Sequence, residues 1–337
     1  MKSLICQHPT QMKYIDRPIP VPSDSEVLIK VKTVGICGTD IHAWAGNQPF
    51  FNYPRVLGHE ICGEVIALGK KITSFRIGQQ TSVIPYIACN HCSACLNNRP
   101  NCCENISVIG VHQDGGMAEY LSVPAENLLS AENIDPITAA LIEPFAISAH
   151  AVRRADCTPG ESVLVVGGGP IGLGVAAIAQ ADKLHVVLAD TQLERREHSK
   201  NILGICVLNP ADADFESQLR QAFHGELPNK VIDATGNQHA MNNCVNLIRH
   251  GGQIIFVGLF KGNLSFSDPD FHKKETTMKG SRNATTEDFK KVEKLMSEGK
   301  LKAEMMLSHR FTFSELSDIY ESEIVNNKNL LKAVVEF

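Results

Sequence analysis

Two short stretches of the chain gather side chains that suit a catalytic metal. Cys37-Gly38-Thr39-Asp40-Ile41-His42 and Gly58-His59-Glu60 together supply a thiolate, an imidazole and a carboxylate. Cys37, His59 and Glu60 are ligand types that zinc accepts, and three protein ligands leave a position open for water or substrate, so the ion can act as a Lewis acid. A second group follows in Cys89, Cys92 and Cys95, with Cys103 completing four thiols within fifteen residues. Four thiolates close a tetrahedral zinc site, so this metal would be structural, pinning a polar loop (about residues 86–106) rich in Asn90, Asn97, Asn98 and Asn101. Cys102 competes with Cys103 for the fourth place, and an iron-sulfur cluster accepts the same ligands.

A third pattern lies farther on. Gly167-Gly168-Gly169-Pro170-Ile171-Gly172 contains G-x-G-x-x-G between a buried-type strand and a helix, and a second strand ends in Asp190. Gly167 makes the tight turn, Gly169 lets the backbone approach a pyrophosphate, and Gly172 lets helix and strand pack closely. With Pro170 and Ile171 the helix opens toward the phosphates. Asp190 would accept hydrogen bonds from the adenosine ribose hydroxyls and repel a 2′-phosphate, which favours NAD. Arg195 and Arg196 could instead accommodate that phosphate, as NADP requires. Strands at 230–234 and 253–258 bring Thr235, Val257 and Gly258 to the same end of a parallel sheet, where a dinucleotide binds.

The elements that must position these groups imply two domains, since 337 residues exceed what one core commonly supports. Segments 26–32, 61–67, 80–87 and 118–123 are β-type with glycine-containing turns, which predicts an antiparallel, barrel-like first domain. The segment 137–150 reads as helical and carries Glu143 before Pro144; taken alone, that carboxylate is a cap or a solvated side chain. From about residue 160 strands and helices alternate, giving an α/β second half. A helix over 287–298 ends at Gly299, and the β-like segment 332–337 returns to the first domain.

Composition narrows the function classes. Hydrophobic residues at 43% and charged residues at 20% are those of a folded globular protein, and a formal net charge of −5 gives no footprint for nucleic acid or an anionic membrane. The apolar run 162–181 is broken by Gly167, Gly168, Gly169 and Pro170, which favours a strand, loop and buried helix over a membrane span. The first residues carry no signal-peptide pattern, so the eleven cysteines are expected to stay reduced, in the cytoplasm, and to serve metals rather than disulfides.

On these motifs the chain resembles the zinc-dependent medium-chain alcohol and polyol dehydrogenases along its whole length. The resemblance implies a GroES-like β-barrel catalytic domain over 1–145, a Rossmann doubly wound parallel sheet over 146–278, and a C-terminal segment, 279–337, returning to the catalytic domain. It implies two zinc ions per chain. Cys37, His59 and Glu60 would hold the catalytic one, with Glu143 as an intermittent fourth ligand or a partner of bound water. Thr39 and His42 match the family's proton-relay pair, although they could merely brace the metal loop. The likeness is dense in 35–44, 143–150 and 280–285, and it points to oxidation of a secondary hydroxyl on a sugar acid or polyol. Arg282 would pair with a substrate carboxylate and Trp44 and Phe50 would wall the pocket, against surface charge and core packing as alternatives. A threonine dehydrogenase and a catalytically inactive binding protein of the same fold are the rival readings. A homodimer or homotetramer is expected, with no nucleic-acid or membrane partner.

Overall fold

The structure is a computed structural model that describes residues 1–48 and 51–337, so Phe50 lies outside the described residues. The chain divides into two units, one formed by Met1–Glu143 with Thr285–Phe337 and the other by Pro144–Ala284.

The first unit is built around the strand Glu26–Ile36, whose apolar residues Val27, Ile29, Val31 and Val34 are buried. It runs antiparallel to Glu60–Leu68, to Tyr120–Pro124 and to Ala333–Glu336, in a seven-stranded sheet. Its pairing with Glu60–Leu68 slips twice, between Leu28 and Ile29 and between Val31 and Thr33. Such bulges increase local twist, which is how a sheet coils toward a barrel. Past the second slip the register sets Gly35 opposite both Glu60 and Val334. Leu4, Val34, Ile61, Val65 and Met117 fill the core beneath. The short strands Tyr86–Ile87 and Ser107–Val108 pair on either side of the cysteine-rich loop.

The second unit carries six parallel strands, Ser162–Val166, His185–Ala189, Cys206–Leu208, Lys230–Asp233, Gln253–Phe256 and Thr277–Gly280. Their order across the sheet is third, second, first, fourth, fifth, sixth. This is the doubly wound order in which ligands bind where the direction of winding reverses, between the first and fourth strands. The apolar run 162–181 resolves into the strand Ser162–Val166 and the helix Pro170–Ala181. Among the described residues no helix is long and apolar enough to cross a membrane. The segment expected as one helix over 137–150 is two, Pro136–Ala140 and Ile142–Arg154, the first capped by the Asp135 side chain. The later helix spans Thr286–Ser297 behind a capping box of Thr285 and Asp288, with Gly299 in the left-handed region beyond its end.

Candidate metal centre and cofactor crevice

Cys37, His59 and Glu60 each offer one ligand atom, and these atoms lie within 4.8 Å of one another. Cys37 is the extended N-cap of the helix Gly38–Trp44, which sets its side chain at the helix's N-terminal end. Its own N–H donates to Asp40 Oδ2 at 2.9 Å, and Asp40 Oδ1 accepts from Gly58 N at 3.1 Å. Asp40 thereby ties the two motif stretches together. It also stands 3.8 Å from His59 Nδ1, beyond hydrogen-bond reach, and Nδ1 is buried with no hydrogen-bond partner among the described residues. Burial disfavours a charged His59, yet Asp40, Cys37 and Glu143 outweigh it and hold the imidazole pKa well above its ordinary value. A site this rich in negative groups calls for a cation.

Glu60, fully buried, divides its carboxylate between two tasks. Oε1 accepts from Lys332 Nζ at 2.5 Å, while Oε2 is buried with no partner among the described residues. Glu143 behaves alike: Tyr86 Oη donates to Oε1, and Oε2 is buried with no partner among the described residues. Burial, with the Glu60 charge adding to it, pushes the Glu143 carboxyl up to about 7 despite the opposing His59. Glu143 is thus brought beside the set but stays outside the 4.8 Å group. Orphaned carboxylate oxygens next to a thiol and an imidazole fit a divalent metal, since buried polar atoms otherwise find partners. Gly35 makes the room: a Cβ there would fall 1.9 Å from Glu60 Oε2.

Sequence reasoning passed over Asp40, Gly35, Tyr86 and Lys332. Only Asp40 carried a local signal, being an acid three residues after an N-cap. Thr39 and His42 sit one turn apart on the helix Gly38–Trp44, with His42 exposed. Trp44 is buried in the core of the first unit, its ring 6.1 Å from that of Tyr320. Arg282 is exposed in the second unit.

The second thiol group is Cys89, Cys92, Cys95 and Cys103, with Cys102 outside it. Cys92 Sγ lies 3.5 Å from Cys95 Sγ and 3.9 Å from Cys103 Sγ. Tetrahedral zinc–sulfur bonds of about 2.3 Å place sulfurs about 3.8 Å apart, so the four thiols fit zinc. The backbone N–H of His91 turns toward Cys89 and lowers its thiol to about 6.

In the second unit a cavity of ≈ 520 Å³ opens at the switch point, lined among others by Gly167, Gly169, Asp190, Arg195 and Thr235. Gly167 takes φ +101, and a Cβ on Gly172 would fall 1.8 Å from Gly167 O, which is the close helix–strand approach the glycine pattern requires. Gly169 caps the helix that begins at Pro170 and Ile171. Asp190 accepts from Gly168 N and Gln192 N, each at 2.7 Å, so its carboxylate is fixed across the glycine turn. Arg195 reaches it only at 3.8 Å, and Arg196 is occupied with the Asp190 and Thr191 carbonyls. Val257 and Gly258 follow the strand Gln253–Phe256 and donate to Asp233 O.

With both centres placed, comparison with known proteins defines the class. Residues 23–133 match the alcohol dehydrogenase GroES-like domain and residues 170–298 match the zinc-binding dehydrogenase domain. The chain belongs to the zinc-type medium-chain dehydrogenases and is a zinc-dependent oxidoreductase. It is 65% identical to the L-galactonate-5-dehydrogenase of Escherichia coli, over 100% of this chain and 99% of that one. It is 33% identical to the starvation-sensing protein RspB of Escherichia coli, covering 100% and 99%. A solved rspB alcohol dehydrogenase from Escherichia coli, complexed with NADH, superposes with a TM-score of 0.92 at 33% identity, over 100% of this chain and 99% of that chain.

Proposed function

We propose that this protein oxidises the C5 hydroxyl of L-galactonate to give D-tagaturonate, with NAD as the hydride acceptor. The observation that carries the reaction class is the set of half-buried Cys37 with buried His59 and Glu60, in which Glu60 Oε2 has no partner among the described residues. The substrate is supported by 65% identity over the whole chain to an L-galactonate-5-dehydrogenase. When bound, zinc supplies Lewis acidity toward a hydroxyl and NAD accepts the hydride. Cys37, His59 and Glu60 are the residues that hold the catalytic zinc, and Cys89, Cys92, Cys95 and Cys103 hold the structural one. Asp40 holds the Cys37 and Gly58 backbones together and Lys332 keeps one oxygen of Glu60 turned away. Glu143 Oε2 serves the open side of the centre. Thr39 and His42 pass the hydroxyl proton outward along their helix face, and Arg282 pairs with the substrate carboxylate. Asp190 selects NAD, because its fixed carboxylate suits ribose hydroxyls and opposes a 2′-phosphate. We place the enzyme in the cytoplasm, as a homodimer or homotetramer, on its eleven free cysteines and its class.

A sorbitol dehydrogenase 32% identical to this chain makes a polyol the competing substrate. The reading is tested by assaying NAD reduction with L-galactonate, L-threonine and sorbitol side by side, with Cys37→Ser and His59→Ala as controls. Preferred turnover of L-galactonate, abolished in both variants while they remain folded, is the expected result. Preference for sorbitol would replace the substrate, and full activity in either variant would remove the metal assignment.

A further inference from the structure

We propose that Asp233 is a positioning residue for the dinucleotide: its carboxylate shapes the turn at Thr235 and Gly236 that presents the fourth strand's end to the cofactor cavity. The inference rests on reading the ≈ 520 Å³ cavity as the dinucleotide site.

Asp233 ends the strand Lys230–Asp233 and has no solvent exposure. Oδ1 accepts from Thr235 N at 3.1 Å, and the Thr235 hydroxyl lies 3.1 Å from Oδ1 and 2.9 Å from Oδ2. Gly236, the next residue of the turn, sits in the left-handed region with φ +59. The link continues downstream. Asn237 N donates to Thr235 Oγ1 at 3.0 Å, and Asn237 Oδ1 accepts from Ala240 N at 3.1 Å to start the helix Gln238–Asn243. Ala234, Thr235, Asn237, Ala240 and Asn243, all downstream of this carboxylate, line the cavity.

The turn is closely packed by two neighbouring glycines. A Cβ on Gly167 would meet Thr235 Cγ2 at 2.9 Å, and one on Gly258 would meet Gly236 N at 2.2 Å. Asp233 O meanwhile accepts from Val257 N at 2.9 Å and Gly258 N at 3.1 Å. One residue therefore ties the Thr235 loop to the end of the fifth strand. Holding a carboxylate in the interior is costly, and burial pushes this one up to about 6. Groups held at such cost concentrate at functional sites.

The test uses the full-length, zinc-loaded protein and compares wild type, Asp233→Ala, Asp233→Asn and Thr235→Val. NADH Kd is read by nicotinamide fluorescence, with zinc content, Tm, and KM for NAD and for the alcohol substrate measured alongside. Asp233→Ala is expected to raise the NADH Kd about tenfold, as loss of several hydrogen bonds at a preorganised site would. KM for NAD should rise with it more than KM for the alcohol. Asp233→Asn, which keeps the acceptor and can donate to Thr235 Oγ1, should restore Kd to within about threefold of wild type. If Asp233→Ala does not fold, Thr235→Val carries the test, with a raised Kd expected at unchanged zinc content. Wild-type Kd in Asp233→Ala, or in a folded Thr235→Val where that variant decides, overturns the inference. So does a loss in Asp233→Asn equal to that in Asp233→Ala. A wild type that fails to bind NADH removes the dinucleotide reading itself, and this inference with it.

Discussion

Lys332 Nζ donates to Glu60 Oε1 at 2.5 Å and to Ile36 O at 3.2 Å, in a pocket where both charged side chains are buried. The pairing decides which carboxylate oxygen remains for a metal, because Oε2 alone is left without a partner among the described residues. Lys332→Met should strand Glu60 in the interior, an effect of about 3–5 kcal/mol for a broken buried pair. Thermal unfolding should move to lower temperature, and metal analysis should show zinc falling from two per chain toward one. A variant with wild-type Tm and both zinc ions would show that the pair is dispensable.

Gly35 and Glu60 face each other across two antiparallel strands. In Gly35→Ala the added methyl would lie 1.9 Å from Glu60 Oε2 and 2.9 Å from Glu60 Cβ, so the carboxylate has to leave its place. Turnover should fall by at least about 10–100-fold, the usual consequence of disturbing a metal's supporting residues. Elemental analysis should find the structural zinc retained and the catalytic one depleted; undiminished loading of both would contradict this.

Cys103 and Cys102 are neighbours in sequence but only Cys103 joins the thiol cluster. Cys103→Ser should release one zinc per chain and lower Tm, since metal binding is folding free energy for a loop of this kind. Cys102→Ser should change neither quantity. Reversal of the two phenotypes would reassign the fourth ligand.

The Asp233 carboxyl is raised from 3.8 to about 6, first by burial, against hydrogen bonds from Thr235 and Gly236. Its titratable neighbour is Cys244, whose thiol burial keeps protonated, with the Asp233 charge adding to the effect. A raised carboxyl pKa means the folded state holds the proton more tightly than the unfolded chain. The stabilising contribution is complete below the unfolded pKa near 3.8 and is lost as pH rises through about 6. Asp233→Asn removes that dependence. In urea unfolding it should gain on wild type between pH 4 and pH 7, by an amount not exceeding about 3 kcal/mol. A stability difference that stays flat across this range would argue against the raised pKa.

Residue type and short-range spacing made much of this protein readable from its chain. Cys37 with His59-Glu60, the four cysteines and the glycine turn with Asp190 are signals written within a few dozen residues, and the strand–turn–helix–strand order around the last fixed the fold of the second unit. Other participants depend on register. Gly35 matters because a strand 25 positions away puts Glu60 against it, and a missing side chain has no composition signature. Lys332 looks like any surface lysine until the strand Ala333–Glu336 is paired beside Glu26–Ile36. Trp44 follows the metal loop by only seven residues, yet the helix turns it into the core beside Tyr320. The sixth strand of the parallel sheet, Thr277–Gly280, passed unnoticed because an edge strand needs no continuous apolar run, and none of its residues is fully buried.

The separation of Lys332 from Glu60, 272 residues, also has a temporal meaning. On the ribosome, Cys37, His59 and Glu60 emerge early, while the ammonium that settles Glu60 is made only after the whole parallel-sheet unit has been translated. Contacts this distant in sequence form late, after loop closure has been overcome. The catalytic pocket should therefore mature after the thiol-rich lobe, whose four cysteines are all close neighbours along the chain. A nascent chain would hold its structural metal while its catalytic centre still awaited completion.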